Sequence, residues 1–489
     1  EYNPQVWDYY FKWYGIKKYV VGQTVVFTGW KIAVGMENGD YELSDETIYP
    51  GEVLTEEQLE KYTLDNKIHV FATWGILNAY VEAFSAANTN QFADGTIYTN
   101  FVLIHAESRL GNLPSNCQYP FTIRSVDYNS STGVMEPTSE VKRVNIGEYS
   151  DLRTDTIIDS VELWMTKNDN SNHGDSLNGI FANGHTLIIG DNVSTGGSLS
   201  VSAAGTLKYP QIFGGSHSSW ISSTNVIIHS GVYSNVMAGS YGTVGISGDL
   251  KLVLNGGAVL DTVVGGSSGG ASSIQGSTYI YILGDAILPG DTYEENAIGS
   301  ERWNELKDLL LVDIEESSIL TGGSNGNTSG SIARIVGDTH IHISGEAEVW
   351  DAQGPGRRAA SQVDGTAHVL VSGKAWVKHM VAGSITDGNN WQDMSCVGGT
   401  DIVVKDDATV ASVFGAGYDT WANPTNVSMM GESTTINVKI MGGTVGYVYG
   451  GGYRGTVGTP ESPIGSITLS ITDGTILGDV FGGGRGGLD

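Results

Sequence analysis

The chain has 489 residues, including 68 glycines and 11 prolines, and its formal net charge is −29. A chain this acidic repels phosphate backbones and anionic lipid surfaces, so the charge argues against nucleic-acid binding. No apolar run approaches the length of a membrane span, so no membrane insertion is expected.

Residues 1–76 are richer in aromatic side chains and poorer in glycine than the rest of the chain. Three fragments give the order strand, Pro-Gly turn and strand: VVFTGWKIA (25–33), TIYPGEVLT (47–55) and IHVFATWG (68–75). They resemble the small β-grasp-like module called the internalin B-type repeat, through Phe27, Gly29, Trp30, Pro50, Gly51, Ala72 and Trp74. The resemblance implies a secreted, modular bacterial surface or adhesin-type protein.

Two segments of this module depart from that family pattern. The acidic insert at 35–46 is interpreted as a loop, and TEEQLEKYTL (55–64) as a short helix or a charged loop. Beyond the module, residues 77–94 are predicted to form a helical cap or linker, because ILNAYVEAFSAAN (76–88) is helix-like. Such a cap would protect the first exposed strand edge of the domain that follows.

A glycine-rich pattern recurs through the second half of the chain, as in GGTVGYVYGGGYRG (442–455). Each copy has a strand of alternating apolar residues, a turn residue, a second apolar pair and then small residues. The turn residues recur 26 to 36 positions apart, at Gly231, Gly257, Gly284, Ser318, Gly345, Gly373, Asp407, Gly443 and Gly474. A step near 30 that tolerates insertions is typical of the coils of a β-solenoid.

The pattern resembles the right-handed parallel β-helix of pectate-lyase-like proteins and bacterial adhesins, over residues 95–489. The fold class expected is therefore all-β, with another all-β repeat such as a propeller, or a flexible linker, as the alternatives. Because the chain stops inside the pattern, we expect a mature or truncated piece of a longer protein. Cys117 and Cys396 would lie about 45 Å apart in stacked coils, so no disulfide bond is predicted between them.

One strand of the pattern, DTHIHIS (338–344), predicts a metal site. Asp338, His340 and His342 share a face, and aligned glycine turns place His368 beside His340 in the next coil. Three imidazoles and a carboxylate can bind Zn²⁺ or a similar ion. The alternative is an ordinary polar strand face. Acidic turns also make structural Ca²⁺ possible, although no EF-hand or nonapeptide repeat is present.

The sequence also contains candidate catalytic residues. Glu346 and Glu348 are paired carboxylates predicted on one strand face, as glycoside hydrolysis requires. A polysaccharide lyase would need a basic residue, and the candidates are Arg334, Arg357, Arg358, Lys374 and Lys378. The alternative for the carboxylates is a solvated surface.

Aromatic residues in or near turns are typical of carbohydrate binding, because a flat ring covers the apolar face of a sugar. The first candidates are Trp391 and Trp421, with Tyr418 and Trp220 beside them, and the wider set includes Trp303, Trp350, Trp376 and Tyr453. The alternative is that these rings only cover coil edges.

The sequence favours a non-catalytic extracellular scaffold or adhesin on a bacterial cell surface, presenting loops to a glycan or a host surface protein. A polysaccharide lyase or glycoside hydrolase on the same fold is the alternative, since fold alone does not choose between them. End-to-end self-association into an extracellular filament is a further alternative, because an uncapped coil edge can accept another strand.

Overall fold

The structure is a computed structural model. It describes residues 24–37, 40–44, 48, 54, 61–63, 67–77, 101–104, 107–110, 121–129, 134–137, 140–147, 149–165, 179–197, 209–268, 272–289, 318–325, 333–356, 361–381, 385–386, 398–419, 429–430, 434–452, 456–457 and 465–484.

The first module contains a three-stranded antiparallel sheet. Its central strand, Thr24–Glu37, pairs with Asp40–Leu43 on one side and Val70–Leu77 on the other. The register shifts between Phe27 and Gly29, as in a β-bulge. The interpretation of the acidic insert as a loop is therefore wrong over Asp40–Leu43, which forms a hairpin with the end of the central strand.

Apolar side chains on one side of this sheet form a small core of Ile32, Ile48 and Tyr62. Trp30 lies outside that core and is 38% exposed. The predicted helical cap at 77–94 falls outside the described residues, except that Leu77 ends the third strand.

The rest of the described chain is a parallel β-helix, as the sequence predicts. Each coil begins with a strand that pairs in parallel with the corresponding strand of the next coil. These first strands are Phe101–Ile104, Phe121–Asn129, Thr156–Ile158, Thr186–Ile189, Thr224–Ile228, Leu250–Leu254, Thr278–Ile282, Thr339–Ile343, Thr366–Val371, Gly399–Val404 and the opening parts of Thr434–Tyr449 and Gly465–Ile476.

A second strand follows each first strand across a tight turn. In the early coils it is split into two pieces that stack separately. The first pieces are Ser108–Arg109, Lys142–Ile146, Val161–Met165 and Ser194–Gly197, and the second pieces are Ser150–Asp151, Ile180–Phe181 and Ile212–Phe213. From Val232 onward the second strands are Val232–Met237, Ala258–Val264, Ile287–Leu288 with Ile319–Thr321, Glu348–Gln353, Trp376–Val381, Thr409–Phe414, the end of Thr434–Tyr449, and Val480–Phe481.

A short third strand completes several coils before the next one begins. Ser273–Ile274, Ala333–Ile335 and Ser361–Val363 stack in parallel, and the isolated bridges of Ile221, Ile246 and Ile274 extend this stack. Further pairs are Ile385–Thr386 with Tyr418–Asp419 and Met429–Met430 with Thr456–Val457. One hairpin interrupts the early coils, between Phe121–Asn129 and Val134–Pro137.

Side chains alternate between the inside of the coil and its surface, because successive residues of a strand point to opposite faces. In the strand that opens at Thr434, Ile436, Val438 and Ile440 are buried while Asn437 and Lys439 are partly exposed, as predicted. The inward Val, Ile, Leu and Ala side chains form one continuous core along the stack. Burial of this apolar surface stabilises the domain.

The glycines predicted at the turn between the first and second strands have the backbone conformation that the turn needs. Their φ angles lie between 60° and 101°, a region that side chains with a Cβ rarely adopt, at Gly231, Gly257, Gly284, Gly345, Gly373, Gly443 and Gly474. In the coil of Gly399–Val404 the corresponding residue is Asp406, with φ 58°, and not the predicted Asp407.

The predicted turn at Ser318 is wrong. Ile287–Leu288 and Ile319–Thr321 pair with the same two neighbouring strands, so they are halves of one interrupted second strand. The hydroxyl and the amide of Ser318 both donate to the carbonyl oxygen of Pro289, at 2.6 and 2.8 Å. Pro289 and Ser318 therefore belong to one coil, and Ser318 does not begin a further repeat.

Glycines and other small residues that follow the second strands mark a corner where neighbouring coils approach closely. A Cβ at Gly415 would lie far inside contact distance of the Gly450 carbonyl oxygen. In the earlier coils the corner serines form a buried row, Ser216, Ser240, Ser267 and Ser324, in which the amide of each of the first three donates to the hydroxyl of the next. The run at 442–455 thus includes one copy of this corner.

The last described coil exposes side chains whose counterparts in earlier coils are buried. Ile467, Ile471 and Phe481 are exposed, whereas Ile436, Ile440 and Tyr449 are buried at the same positions one coil earlier. Among the described residues this is therefore an uncovered strand edge.

Glycine at the corner can be tested with two matched variants. We expect Gly415→Ala to destabilise the domain by about 1–3 kcal/mol, because the added methyl group overpacks against the Gly450 carbonyl. Gly482→Ala is the control, since a Cβ there would meet nothing within 4 Å. Urea unfolding followed by circular dichroism measures both, and equal midpoints would contradict the close approach.

Candidate functional site

The predicted histidines lie on the outer face of the strand Thr339–Ile343. Ile341 and Ile343 are buried, while His340 and His342 are partly exposed. His340 lies opposite His368 of the next coil, and their rings stack with centroids 4.7 Å apart and planes 5° apart. The coil stacking therefore brings together two imidazoles that are distant in the sequence.

A candidate metal centre is formed by Asp338, His340 and His368, whose ligand atoms all lie within 4.8 Å of one another. His342 does not belong to it, which corrects the predicted ligand set: its Nε2 lies 2.9 Å from Ser372 Oγ. The reason is geometric. Neighbours on one strand face are two residues, about 6.5 Å, apart, whereas neighbours across coils are about 4.8 Å apart.

The cluster needs a local adjustment to hold a zinc ion. Tetrahedral ligands at about 2.1 Å from zinc lie about 3.4 Å from each other. The lone pairs of two parallel imidazoles also point in parallel directions, so one ring must rotate for both to meet an ion. Asp338 Oδ1 accepts a 2.7 Å hydrogen bond from the Thr366 amide, which leaves Oδ2 as the candidate ligand atom.

Burial keeps the imidazole of His340 neutral. Desolvation, assisted by the neighbouring His368, lowers the pKa of His340 from 6.5 to about 4, although Asp338 and Asp249 act in the opposite direction. A metal ion binds the neutral imidazole, so protons compete weakly for this ligand at neutral pH.

Zinc addition tests the metal prediction directly. If the centre is real, excess Zn²⁺ raises the melting temperature, by the equivalent of about 2.7 kcal/mol at one hundred times Kd. The rise should disappear in His368→Gln and persist in His342→Gln, because His342 lies outside the cluster. Differential scanning fluorimetry with and without a chelator measures this, and an unchanged melting temperature would contradict the prediction.

The lowered pKa of His340 also predicts a pH dependence of stability. Between pH 6.5 and 4 the unfolded chain carries a proton on this residue that the folded chain does not, so the free energy of unfolding falls as pH decreases. One proton contributes at most about 1.4 kcal/mol per pH unit, and the partial exposure of the ring reduces this.

His340→Gln should therefore flatten the stability profile between pH 4 and 6.5 relative to the wild type. His185→Gln, a change elsewhere on the surface, serves as the control for general effects of losing a histidine. Urea unfolding at several pH values measures the slopes. A His340→Gln slope equal to that of the wild type would rule out this contribution.

The predicted pair of carboxylates does not share a strand. Glu346 lies in the turn after Gly345, and Glu348 opens the next strand, with the buried Ala347 between them. Glu346 Oε1 lies 3.4 Å from Lys374 Nζ, on an exposed turn. The turn ends the strand alternation on which that prediction rested.

Other candidate bases are engaged with neighbours. Arg334 Nε donates to Asp364 Oδ2 at 2.8 Å, and Lys378 Nζ lies 3.7 Å from the centre of the Trp350 ring. Arg357 and Arg358 lie outside the described residues. Among the described candidate bases, Lys374 alone lies beside Glu346, in an ion pair on an exposed turn, while Arg334 and Lys378 are held by other partners.

The aromatic candidates divide into three groups. Trp391, Trp421, Trp303 and Tyr453 lie outside the described residues, and for Tyr418 only its backbone, in the strand Tyr418–Asp419, is described. The prediction that Trp350 and Trp376 lie in or near turns is wrong. Both lie in second strands, where they are 7% and 9% exposed. Trp220 is 68% exposed.

Trp220 begins a row of outward residues on the third strands. Its indole lies over Gly245, where a Cβ would clash with the ring. The pairings of the third strands continue this row through Ser273, Arg334 and Gln362. We call the outward side chains Trp220, Ser222, Ser247, Ser273, Gln275, Arg334, Val336, Gln362 and Asp364 the third-strand face.

Polar side chains of the third-strand face are held by one another. Gln275 Nε2 donates to Ser273 Oγ at 2.7 Å, and Gln362 Nε2 donates to Asp364 Oδ1 at 2.8 Å. Asp364 also accepts from Arg334. The face thus offers an aromatic platform followed by ordered hydroxyl, amide and charged groups at one-coil intervals.

The sequence reasoning identified Trp220 but missed the polar residues that follow it. The signal was available in the short motifs SSIQG (272–276), ARIVG (333–337) and SQVDG (361–365), whose central apolar residue is buried in each coil. Aligning these motifs would have placed Ser273, Arg334 and Gln362 in one row.

Comparison with known proteins adds no relative: no protein-family model, no curated protein and no solved structure matches the chain. The internalin B-type and adhesin resemblances therefore stay predictions. Within the described part of the chain, no helix combines the length and apolar character that crossing a membrane requires.

Proposed function

We propose that this chain is an extracellular scaffold of the bacterial surface or adhesin type that binds a glycan along its third-strand face. The observation that carries the proposal is Trp220, 68% exposed and seated over Gly245 at the start of a row of ordered polar groups. A single exposed apolar side chain is common on protein surfaces, so the proposal rests on the combination of this ring with the ordered polar groups beside it.

The chemistry of the face suits a sugar chain. The indole can cover the apolar face of a pyranose ring, and the amide and hydroxyl groups of Ser273, Gln275 and Gln362 can bond to sugar hydroxyls. These groups recur at about 4.8 Å along the coil axis, a distance comparable with the length of one sugar residue. An extended oligosaccharide lying parallel to the axis would meet one polar group per coil.

The net negative charge of the chain favours a neutral glycan over an anionic one as the ligand. The chain has a net charge of −29, so a polyuronate or a sulfated polymer would be repelled. The one guanidinium of the third-strand face, on Arg334, is already paired with Asp364. A host surface protein remains the alternative partner, and self-association through the uncovered edge of the last coil remains a prediction.

The hypothesis of a polysaccharide lyase or glycoside hydrolase has less support than that of a glycan-binding scaffold. Glu346, Arg334, Lys374 and Lys378 are engaged in ion pairs or in a cation–π contact in the described structure. Incubation with a polysaccharide panel, with and without Ca²⁺, distinguishes the scaffold from the enzyme. New reducing ends or unsaturated products would favour the enzyme hypothesis.

The glycan proposal predicts a site-specific loss of binding. On an array of neutral glycans, Trp220→Ala should weaken binding about tenfold or more, which corresponds to about 1.4 kcal/mol. Gln362→Ala should weaken it less, because it removes a single polar group. The control is Trp30→Ala, an exposed tryptophan of the first module.

Two outcomes would contradict this prediction. If the wild type is retained by no neutral glycan, the third-strand face is not a glycan site. If Trp220→Ala and Trp30→Ala weaken binding equally, the site lies elsewhere or the losses are not specific to this face.

A further inference from the structure

Three polar side chains of the second strands form a row that the functions discussed so far do not use. Asp351, His379 and Ser412 belong to consecutive coils and pair in register, Asp351 with His379 and His379 with Ser412. His379 Nδ1 lies 2.6 Å from Ser412 Oγ. The order along the row is carboxylate, imidazole and hydroxyl.

The coil architecture fixes this order. The next residues along each strand, Ala352, Met380 and Val413, are buried in the core. The core residues on either side of each member of the row lie three positions apart, so two residues between them are left outside the core. Asp351, His379 and Ser412 are the second of these two residues in their strands, and they repeat at about 4.8 Å from coil to coil. A functional row built on packed strands is held more rigidly than one built on loops.

We propose that Asp351, His379 and Ser412 form an acyl-transfer site that hydrolyses a carboxylic ester with a small acyl group. A serine hydroxyl becomes an effective nucleophile when an imidazole within hydrogen-bond distance accepts its proton. A carboxylate on the far side of the imidazole stabilises the imidazolium that forms. The row supplies these groups in that order.

The reaction balances with water as the only co-reactant. Ser412 Oγ attacks the acyl carbon while its proton passes to His379, and the bond to the alcohol oxygen breaks as His379 returns that proton to the leaving alcohol. Water then attacks the acyl-serine through the same base, which releases the carboxylic acid and restores Ser412. No metal ion or redox partner takes part.

Burial limits the substrate. Ser412 is only 7% exposed, so the proposal restricts the substrate to a small acyl group, such as acetyl, carried by a larger molecule that stays outside. An O-acetylated sugar is one such molecule, but the proposal does not depend on glycan binding at the third-strand face.

The chain contains an internal control for this constellation. His342 Nε2 lies 2.9 Å from Ser372 Oγ, so it too has a serine partner. On the other side, however, His342 lies opposite Tyr281, which is not a carboxylate. Ser372 also donates to Ser344 Oγ at 3.0 Å, which engages its proton elsewhere. His342 and Ser372 therefore have the histidine–serine contact but lack the carboxylate on the other side of the imidazole.

The test uses the whole chain with a fluorophosphonate probe and with p-nitrophenyl acetate. We expect one covalent adduct, mapped to Ser412 by peptide mass spectrometry, and ester hydrolysis above the buffer rate. Ser412→Ala should abolish both, His379→Gln should slow acylation at least a hundredfold, and Ser372→Ala should change neither.

Asp351 is a positioning residue in this scheme, so its test needs a readout that loss of stability alone would not move. Asp351→Asn should lower the rate and shift the acidic limb of the pH–rate profile to lower pH, because the imidazolium loses its neighbouring negative charge. Circular dichroism confirms that each variant folds.

The adduct map of the wild type decides the proposal even if a variant fails to fold. No adduct, an adduct on another residue, or hydrolysis equal in Ser412→Ala and wild type would overturn it. Because the probe and the ester carry no sugar, a negative result here leaves the glycan proposal standing, and a negative glycan array leaves this proposal standing.

Discussion

The constraint on which the structure depends is the parallel, in-register pairing of each coil with the next at about 4.8 Å. It satisfies the strand backbone groups by hydrogen bonds between coils, and it leaves no room for a side chain where corners stack. Glycine therefore occupies Gly322, Gly415 and Gly450, where a Cβ would collide with backbone of the adjacent coil. Buried Thr278, Thr339 and Thr400 reinforce the same corner by donating to carbonyl oxygens of Gly322, Gly354 and Gly415.

Because the coils pair in register, residues that are distant in the sequence become neighbours, and each candidate site described above consists of such residues. A coil of about 30 residues places one side chain per coil in each outward row. Tyr279, His340 and His368 stack in one such row, and Phe414, Tyr449 and Phe481 stack in another. Whether a row is structural or functional then depends on its chemistry. Stacked apolar rings gain by covering one another, whereas a row of hydroxyl, imidazole and carboxylate groups gains little burial.

The fold could be predicted from the sequence because its signals are local: alternation within a strand and a turn glycine at each repeat. The errors arose where one local signal had two meanings. Ser318 follows a break within a strand and so imitates a turn, and Trp350 and Trp376 lie in strands that continue to Gln353 and Val381. The site was harder, because the neighbour of a residue depends on insertion lengths in the intervening coil. His368 could be placed beside His340 because both precede aligned turn glycines, Gly345 and Gly373, at the same offset. Asp351, His379 and Ser412 become neighbours only once all three coils are in register, and the turn of the third coil lies at Asp406 and not at the predicted Asp407.

Rigidity is what the two proposed sites have in common. Binding a ligand or a transition state costs free energy for each side chain that must be ordered, and a site whose groups are already ordered avoids part of that cost. The indole of Trp220 is held over Gly245. The row of Asp351, His379 and Ser412 is held by the buried residues that follow them in their strands, Ala352, Met380 and Val413. In both sites the side chains lose conformational freedom before a ligand binds. A β-helix provides such order along most of its length, because each inner coil is held by two neighbours. New rows of side chains can therefore arise by single substitutions on an unchanged backbone, and one rod can present unrelated chemistries on different faces.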